Sequence, residues 1–189
     1  MAAAFYYLDR QGILPWAVLA CASHELGHCG AVYLLGGRVC RIRLSAVGAE
    51  MVLSAAHPMG HGAQLISALA GPLANLLLAF CAARIGEGLY LLAGLNLGLA
   101  CFNLLPAAQL DGGRALEHLA ALLWSQRLGE GLVRALSAAT VLCLLTAGAA
   151  VLWKTGTNFT LIVTAIWLAM PFFRRKSTFQ NKKTKMYLH

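Results

Sequence analysis

The chain has 189 residues and carries 15 Lys and Arg against 7 Asp and Glu, a net charge of +8. Hydrophobic residues make up 59% and charged residues 12%, with a mean hydropathy of +0.68; a soluble domain is nearer half apolar and a quarter charged. So little polar surface excludes an ordinary soluble globule, and the bilayer is expected to be the solvent for much of the chain.

The first apolar segment runs from Ile13 to about Leu35 and is closed by Gly36-Gly37. It is long enough to span a bilayer, yet it contains His24, Glu25 and His28. The stretch Val18 to Ala22 faintly resembles a signal-peptide cleavage site. The region before it has no net positive charge, so the segment is read as retained. From Arg38 to Ala56 the alternation of Val39, Arg41 and Arg43 with Ile42 and Leu44 suggests short strands, with Gly48 able to supply a turn.

The second segment, Leu65 to Ala83, and the third, Leu89 to Ala108, hold no charge. Residues Leu110 to Leu128 carry Asp111, Arg114, Glu117, His118 and Arg127 and suit an amphipathic surface helix. A fourth segment runs from about Ala135 to Trp153. A fifth, Phe159 to Phe173, is short for a hydrocarbon core of about 30 Å. The expected fold is therefore an all-α polytopic membrane protein of about five transmembrane helices, with a small β-hairpin after the first.

One membrane-embedded domain covers 1–189. Its core is about 13–118, two additional spans lie within 131–173, and a basic tail occupies 174–189. Six of the fifteen Lys and Arg lie in that tail. With five crossings, the tail falls on the same side as Arg38, Arg41, Arg43, Arg114, Arg127 and Arg134, which makes that side cytoplasmic. No aromatic-basic platform accompanies the tail, so no nucleic-acid partner is expected; its partner is the anionic lipid surface. The six Cys form no CxxC pair and are expected as small buried thiols without a disulfide framework.

The chemistry lies in His24-Glu25-Leu26-Gly27-His28. On a helix, residues four apart face the same way, so both imidazoles can bind one Zn²⁺ at about 2.0–2.1 Å. Glu25 stands beside the first ligand and can serve as general base toward an attacking water. Ionisable groups inside a span are costly and mark function. A third ligand is needed, and His57, His61, Glu50, Glu87, Asp111, Glu117 and His118 are candidates. Asp111 stands out because Pro106 breaks the end of the third segment and Gly112-Gly113 allows a tight turn.

Together, His24-Glu25-Leu26-Gly27-His28, Gly71-Pro72-Leu73-Ala74-Asn75 and Asn103-Leu104-Leu105-Pro106 followed by Leu110-Asp111-Gly112 resemble the site-2 protease family of intramembrane zinc metalloproteases, peptidase family M50. The resemblance covers about residues 13–118. It is nearest the branch of stage IV sporulation protein FB, from which the chain departs in having only twelve residues before Ile13 and no nucleotide-sensing module. The resemblance implies one zinc per chain on His24, His28 and Asp111, with Glu25 activating water. Asn75 and Asn103 would contact substrate backbone or the oxyanion. It further implies a bacterial cytoplasmic membrane location, a membrane-protein substrate, a membrane regulatory protein as possible partner, and regulated intramembrane proteolysis. The competing expectations are a membrane transporter or metal-binding channel, and an inactive membrane scaffold. His57 and His61 are expected as interfacial polar residues, and His118 and His189 as solvent-facing.

Overall fold

The computed structural model describes residues 12–37, 39–45, 48–53, 59–157 and 159–170. Helix α1, Ile13–Leu34, ends as Gly36 turns to a φ of 77°, while the amides of Leu35 and Gly37 donate to the carbonyls of Ala31 and Val32. A left-handed glycine satisfies the last carbonyls of a helix without the penalty a Cβ would bring. Strands β1, Val39–Ser45, and β2, Gly48–Leu53, pair antiparallel, with Ser45 opposite Gly48 at the closed end.

Helix α2, His61–Ile85, is followed by a short 3₁₀ turn at Glu87–Leu89 and by α3, Tyr90–Asn103. The chain then turns through Leu104–Leu110, where Pro106 offers no amide to prolong the helix. Helix α4, Asp111–Leu123, leads into α5, Gln126–Thr155, whose first turn is capped by the Ser125 hydroxyl accepting from the Leu128 amide. Helix α6, Thr160–Met170, closes the described chain.

Helix α2 is the hub, packed against α1, α3 and α4. Small residues let it do so. A Cβ on Gly27 of α1 would stand 2.7 Å from the Ala70 carbonyl oxygen and 2.9 Å from the Ala74 Cβ, so the two backbones meet at that point. Helix α1 buries one stripe, Ala20, His24, His28 and Val32, at the four-residue spacing that keeps side chains on one face. Leu26, Tyr33 and Leu34 point outward. At the other end, Ala107 and Leu110 pack with Leu168 of α6, joined by Leu144 of α5 and by Trp167.

The expectation of five spans is corrected. Among the described residues two helices, α2 and α5, are long and apolar enough to cross a membrane. Helix α1 has the length, but His24, Glu25 and His28 dilute its apolar run. Helix α3 has 14 residues, which rise only about 21 Å at about 1.5 Å each; the Leu104–Leu110 turn cuts the third apolar segment short of the bilayer's width. Helix α6, as described, ends at Met170. The cytoplasmic placement of the C-terminus rested on five crossings and loses that basis, and the basic tail lies outside the described residues. In α2 and α5 only 33% and 17% of the apolar window is buried, so most of these side chains face outward, unlike the core helix of a soluble protein.

The cysteines are also corrected. Cys21, Cys81, Cys101 and Cys143 are exposed and Cys29 is half-buried, because they lie off the inward stripes of their helices. Cys40 lies outside the residues whose side chains are described.

Candidate functional site

The inward stripe of α1 meets the first residue of α4. His24 Nε2 lies 3.0 Å from Asp111 Oδ2, His28 Nε2 lies 3.2 Å from the same oxygen, and the two Nε2 atoms are 3.1 Å apart. All three residues are buried. Asp111 opens α4, where the unpaired amides of the first turn favour a negative charge. Burial by itself would raise the Asp111 carboxyl; hydrogen bonds from His24 and His28, and their charges, reverse this and hold it well below the usual carboxylate range.

Hydrogen bonds can satisfy at most two sides of this triangle, since each Nε2 carries one proton at most. His28 Nδ1 donates to the Ser67 carbonyl of α2 at 2.7 Å. In the neutral ring that bond places the proton on Nδ1 and turns an Nε2 lone pair toward Asp111 and His24, the form that ligates a metal. A cation among the three atoms serves every side at once. Ligands about 2.0–2.1 Å from one tetrahedral Zn²⁺ stand about 3.3–3.4 Å apart, and the three observed separations, 3.0, 3.1 and 3.2 Å, are slightly shorter. The three residues are also the one group of at least three His, Cys, Asp or Glu found within ligand reach of a common point among the described residues. The donor set therefore fits a zinc ion, and the Ser67 carbonyl orients one ligand as an outer-shell partner does.

Glu25 is half-buried on α1 beside His24, and its charge acts on His28. Asn75 of α2 is fully buried, and neither its amide nitrogen nor its amide oxygen has a hydrogen-bond partner. His24 Nδ1 is likewise buried without a partner. Asn103 is not drawn into the cluster by any described bond; its amide donates to the Leu99 carbonyl of its own helix at 3.0 Å. His61 and His118 form a pair of their own, with Nδ1 atoms 3.3 Å apart, so His118 is half-buried rather than solvent-facing. His57 and His189 lie outside the described residues.

Four further residues shape the site. Gly71 lies against the ring of His28, and a Cβ there would collide with Nε2. Gly112 and Gly113 sit in the first turn of α4, not in a loop, and a Cβ on either would strike the Leu104 or Ala107 carbonyl. Their smallness thus brings Asp111 against the turn rather than reversing the chain. Asn96 of α3 is fully buried, donates to Leu92 and faces the Ser23 hydroxyl at 3.4 Å. Its signal in sequence was an amide inside an uncharged apolar run.

Residues 81–147 match the model of peptidase family M50, a stretch that contains Asp111 and not His24 or His28. A zinc metalloprotease of Methanocaldococcus jannaschii is 30% identical over 120 residues, covering 55% of this chain. The chain spans about a third of the length of that relative (34%). The solved structure of a site-2 protease from Methanocaldococcus jannaschii superposes with a TM-score of 0.65 at 21% identity, over 89% of this chain and 81% of that one. The chain thus shares its fold with a site-2 protease, and a stretch of its sequence with peptidase family M50.

Proposed function

We propose that the chain is a zinc metalloendopeptidase of the site-2 type, a member of family M50, that hydrolyses peptide bonds of membrane-associated or transmembrane proteins. The carrying observation is the buried triangle of His24 Nε2, His28 Nε2 and Asp111 Oδ2, whose three sides cannot all be hydrogen bonds. His24, His28 and Asp111 would hold one zinc per chain. When bound, the ion supplies Lewis acidity that polarises the scissile carbonyl and acidifies the attacking water.

The chain's own residues do the rest. Glu25 takes the water's proton and delivers it to the amine nitrogen as the C–N bond breaks, so the products are a carboxylate and an amine. Asn75 donates its unpaired amide to the carbonyl oxygen of the substrate, where negative charge develops. Asn103 has a lesser claim to this role, since its amide is already committed to Leu99. A helical substrate must unwind to be cut, and the β1–β2 hairpin offers an edge on which an extended segment can pair.

The outward apolar faces of α2 and α5 support a site within or beside the membrane, in the manner of regulated intramembrane proteolysis at a bacterial cytoplasmic membrane. The resemblance to the stage IV sporulation protein FB branch extends this to a compact protease controlled by a partner membrane protein.

A transporter reading requires polar groups lining a path. Instead Thr140, Thr146 and Thr164 each bond a carbonyl of their own helix, and Ser137 is engaged with Val133 and Ala108. An inactive scaffold is not favoured, because Glu25 and all three donors are present.

The test is Glu25→Gln, co-expressed with a membrane-anchored reporter that the wild type cleaves. Loss of the general base is expected to slow cleavage about 10²–10⁴-fold with zinc retained. Cleavage at the wild-type rate contradicts the proposal.

A further inference from the structure

Among the described residues, two histidines remain outside the triangle. His61 is the first residue of α2, and His118 stands two turns into α4. They are 57 positions apart in sequence, yet their Nδ1 atoms approach to 3.3 Å, with ring centroids 5.5 Å apart and planes tilted by 41°. Both rings are half-buried. As an N–H···N hydrogen bond, 3.3 Å is long and therefore weak. As the separation of two imidazole nitrogens about 2.0–2.1 Å from one tetrahedral ion, it matches the expected value of about 3.3–3.4 Å.

We propose that His61 and His118 form a second metal site, which takes one borderline divalent cation such as Zn²⁺, Ni²⁺ or Cu²⁺ through the Nδ1 atoms of both rings and clamps the start of α2 to α4. Imidazole pairs suit these ions and not Mg²⁺ or Ca²⁺, which take oxygen ligands. Burial, joined by the nearby charges of His61 and Arg114 and opposed by Glu117, pushes His118 below the ordinary histidine value. The ring is therefore held in the neutral form that ligation needs. With two protein ligands and water in the other positions, this site binds less tightly than the three-ligand triangle.

The clamp joins the two helices that serve the first centre: α2 supplies the Ser67 carbonyl to His28, and α4 supplies Asp111. Occupancy of the second site therefore fixes the spacing between α2 and α4. The inference does not depend on proteolysis at the first centre; either reading can fail alone.

The experiment uses the full chain in detergent, dialysed to leave only tightly held zinc and then titrated with Cu²⁺. The wild type is expected to take up about one further ion per chain, with the paramagnetic signature of two imidazole nitrogens. His61→Ala and His118→Ala should each weaken that uptake about tenfold or more while keeping the dialysis-resistant zinc, which also certifies that they fold. If a variant loses that zinc, the nitrogen signature of the wild type decides alone. No further uptake by the wild type, a signature without paired imidazoles, or equal uptake by folded variants overturns the proposal.

Discussion

At position 71 the absence of a side chain is what lets His28 reach its partners. Alanine is a better helix former than glycine by roughly 0.5–1 kcal/mol, but displacing the buried His28 ring costs about 1–3 kcal/mol, so Gly71→Ala should lower thermal stability modestly. The added Cβ would collide with His28 Nε2, and zinc affinity should fall about 10–100-fold, read by competition with a chelating dye. Unchanged affinity would remove Gly71 from the site. His24, Glu25 and His28 were legible in the sequence, because four-residue spacing on a helix dictates a shared face. The third donor was not selected by residue type alone; seven candidates carried suitable groups. Asp111 meets His24 and His28 across 87 and 83 positions, and such a contact is set by how helices pack. The Ser67 carbonyl that orients His28 was invisible, since any residue supplies a backbone acceptor. Asn96 was missed although its type marked it, because its partner Ser23 is a contact between helices.

Among the elements, the turn Leu104–Leu110 delivers Asp111, and its anchor comes from further along the chain. The Ala108 backbone amide donates to the Ser137 hydroxyl of α5 at 2.8 Å, and the Gln109 side-chain Nε2 to the Trp167 carbonyl of α6 at 2.8 Å. The C-terminal helices thus support the turn that carries Asp111. Ser137→Ala should cost about 1 kcal/mol in thermal unfolding, the net worth of one such hydrogen bond, and should weaken zinc retention by loosening the turn. Stability lost with zinc affinity intact would separate the fold from the site. Pro106 announced the break, but the sequence placed the reversal at Gly112-Gly113, where the structure has the buried first turn of α4. Glycine reads as turn in one dimension; close packing is the other reason for it, and only the tertiary arrangement distinguishes them. The expectation of five spans failed for a related reason: apolar length counts residues, while a span needs an unbroken helix.

At the scale of the whole molecule, helices α2 and α5 face their apolar sides outward while His24, His28 and Asp111 are buried. The charges that meet between α2 and α4 make stability depend on pH. In the folded protein His118 binds a proton less readily than in the unfolded chain, where the ordinary value is 6.5; the acting groups are Glu117 and Arg114 on its own helix and His61 on α2. As pH falls through and below 6.5, the unfolded state gains protons that the folded state resists, so this contribution lowers stability toward acid. His118→Asn should flatten the decline in unfolding temperature between neutral pH and the acid side of that value; an identical slope would show that the pair does not contribute. The measurement that bears most directly on the central claim is the zinc content of dialysed protein. The wild type should retain about one zinc per chain, while Asp111→Ala and His24→Ala, still helical by circular dichroism, should retain almost none. Retention by Asp111→Ala equal to that of the wild type would contradict the claim that His24, His28 and Asp111 meet on one zinc.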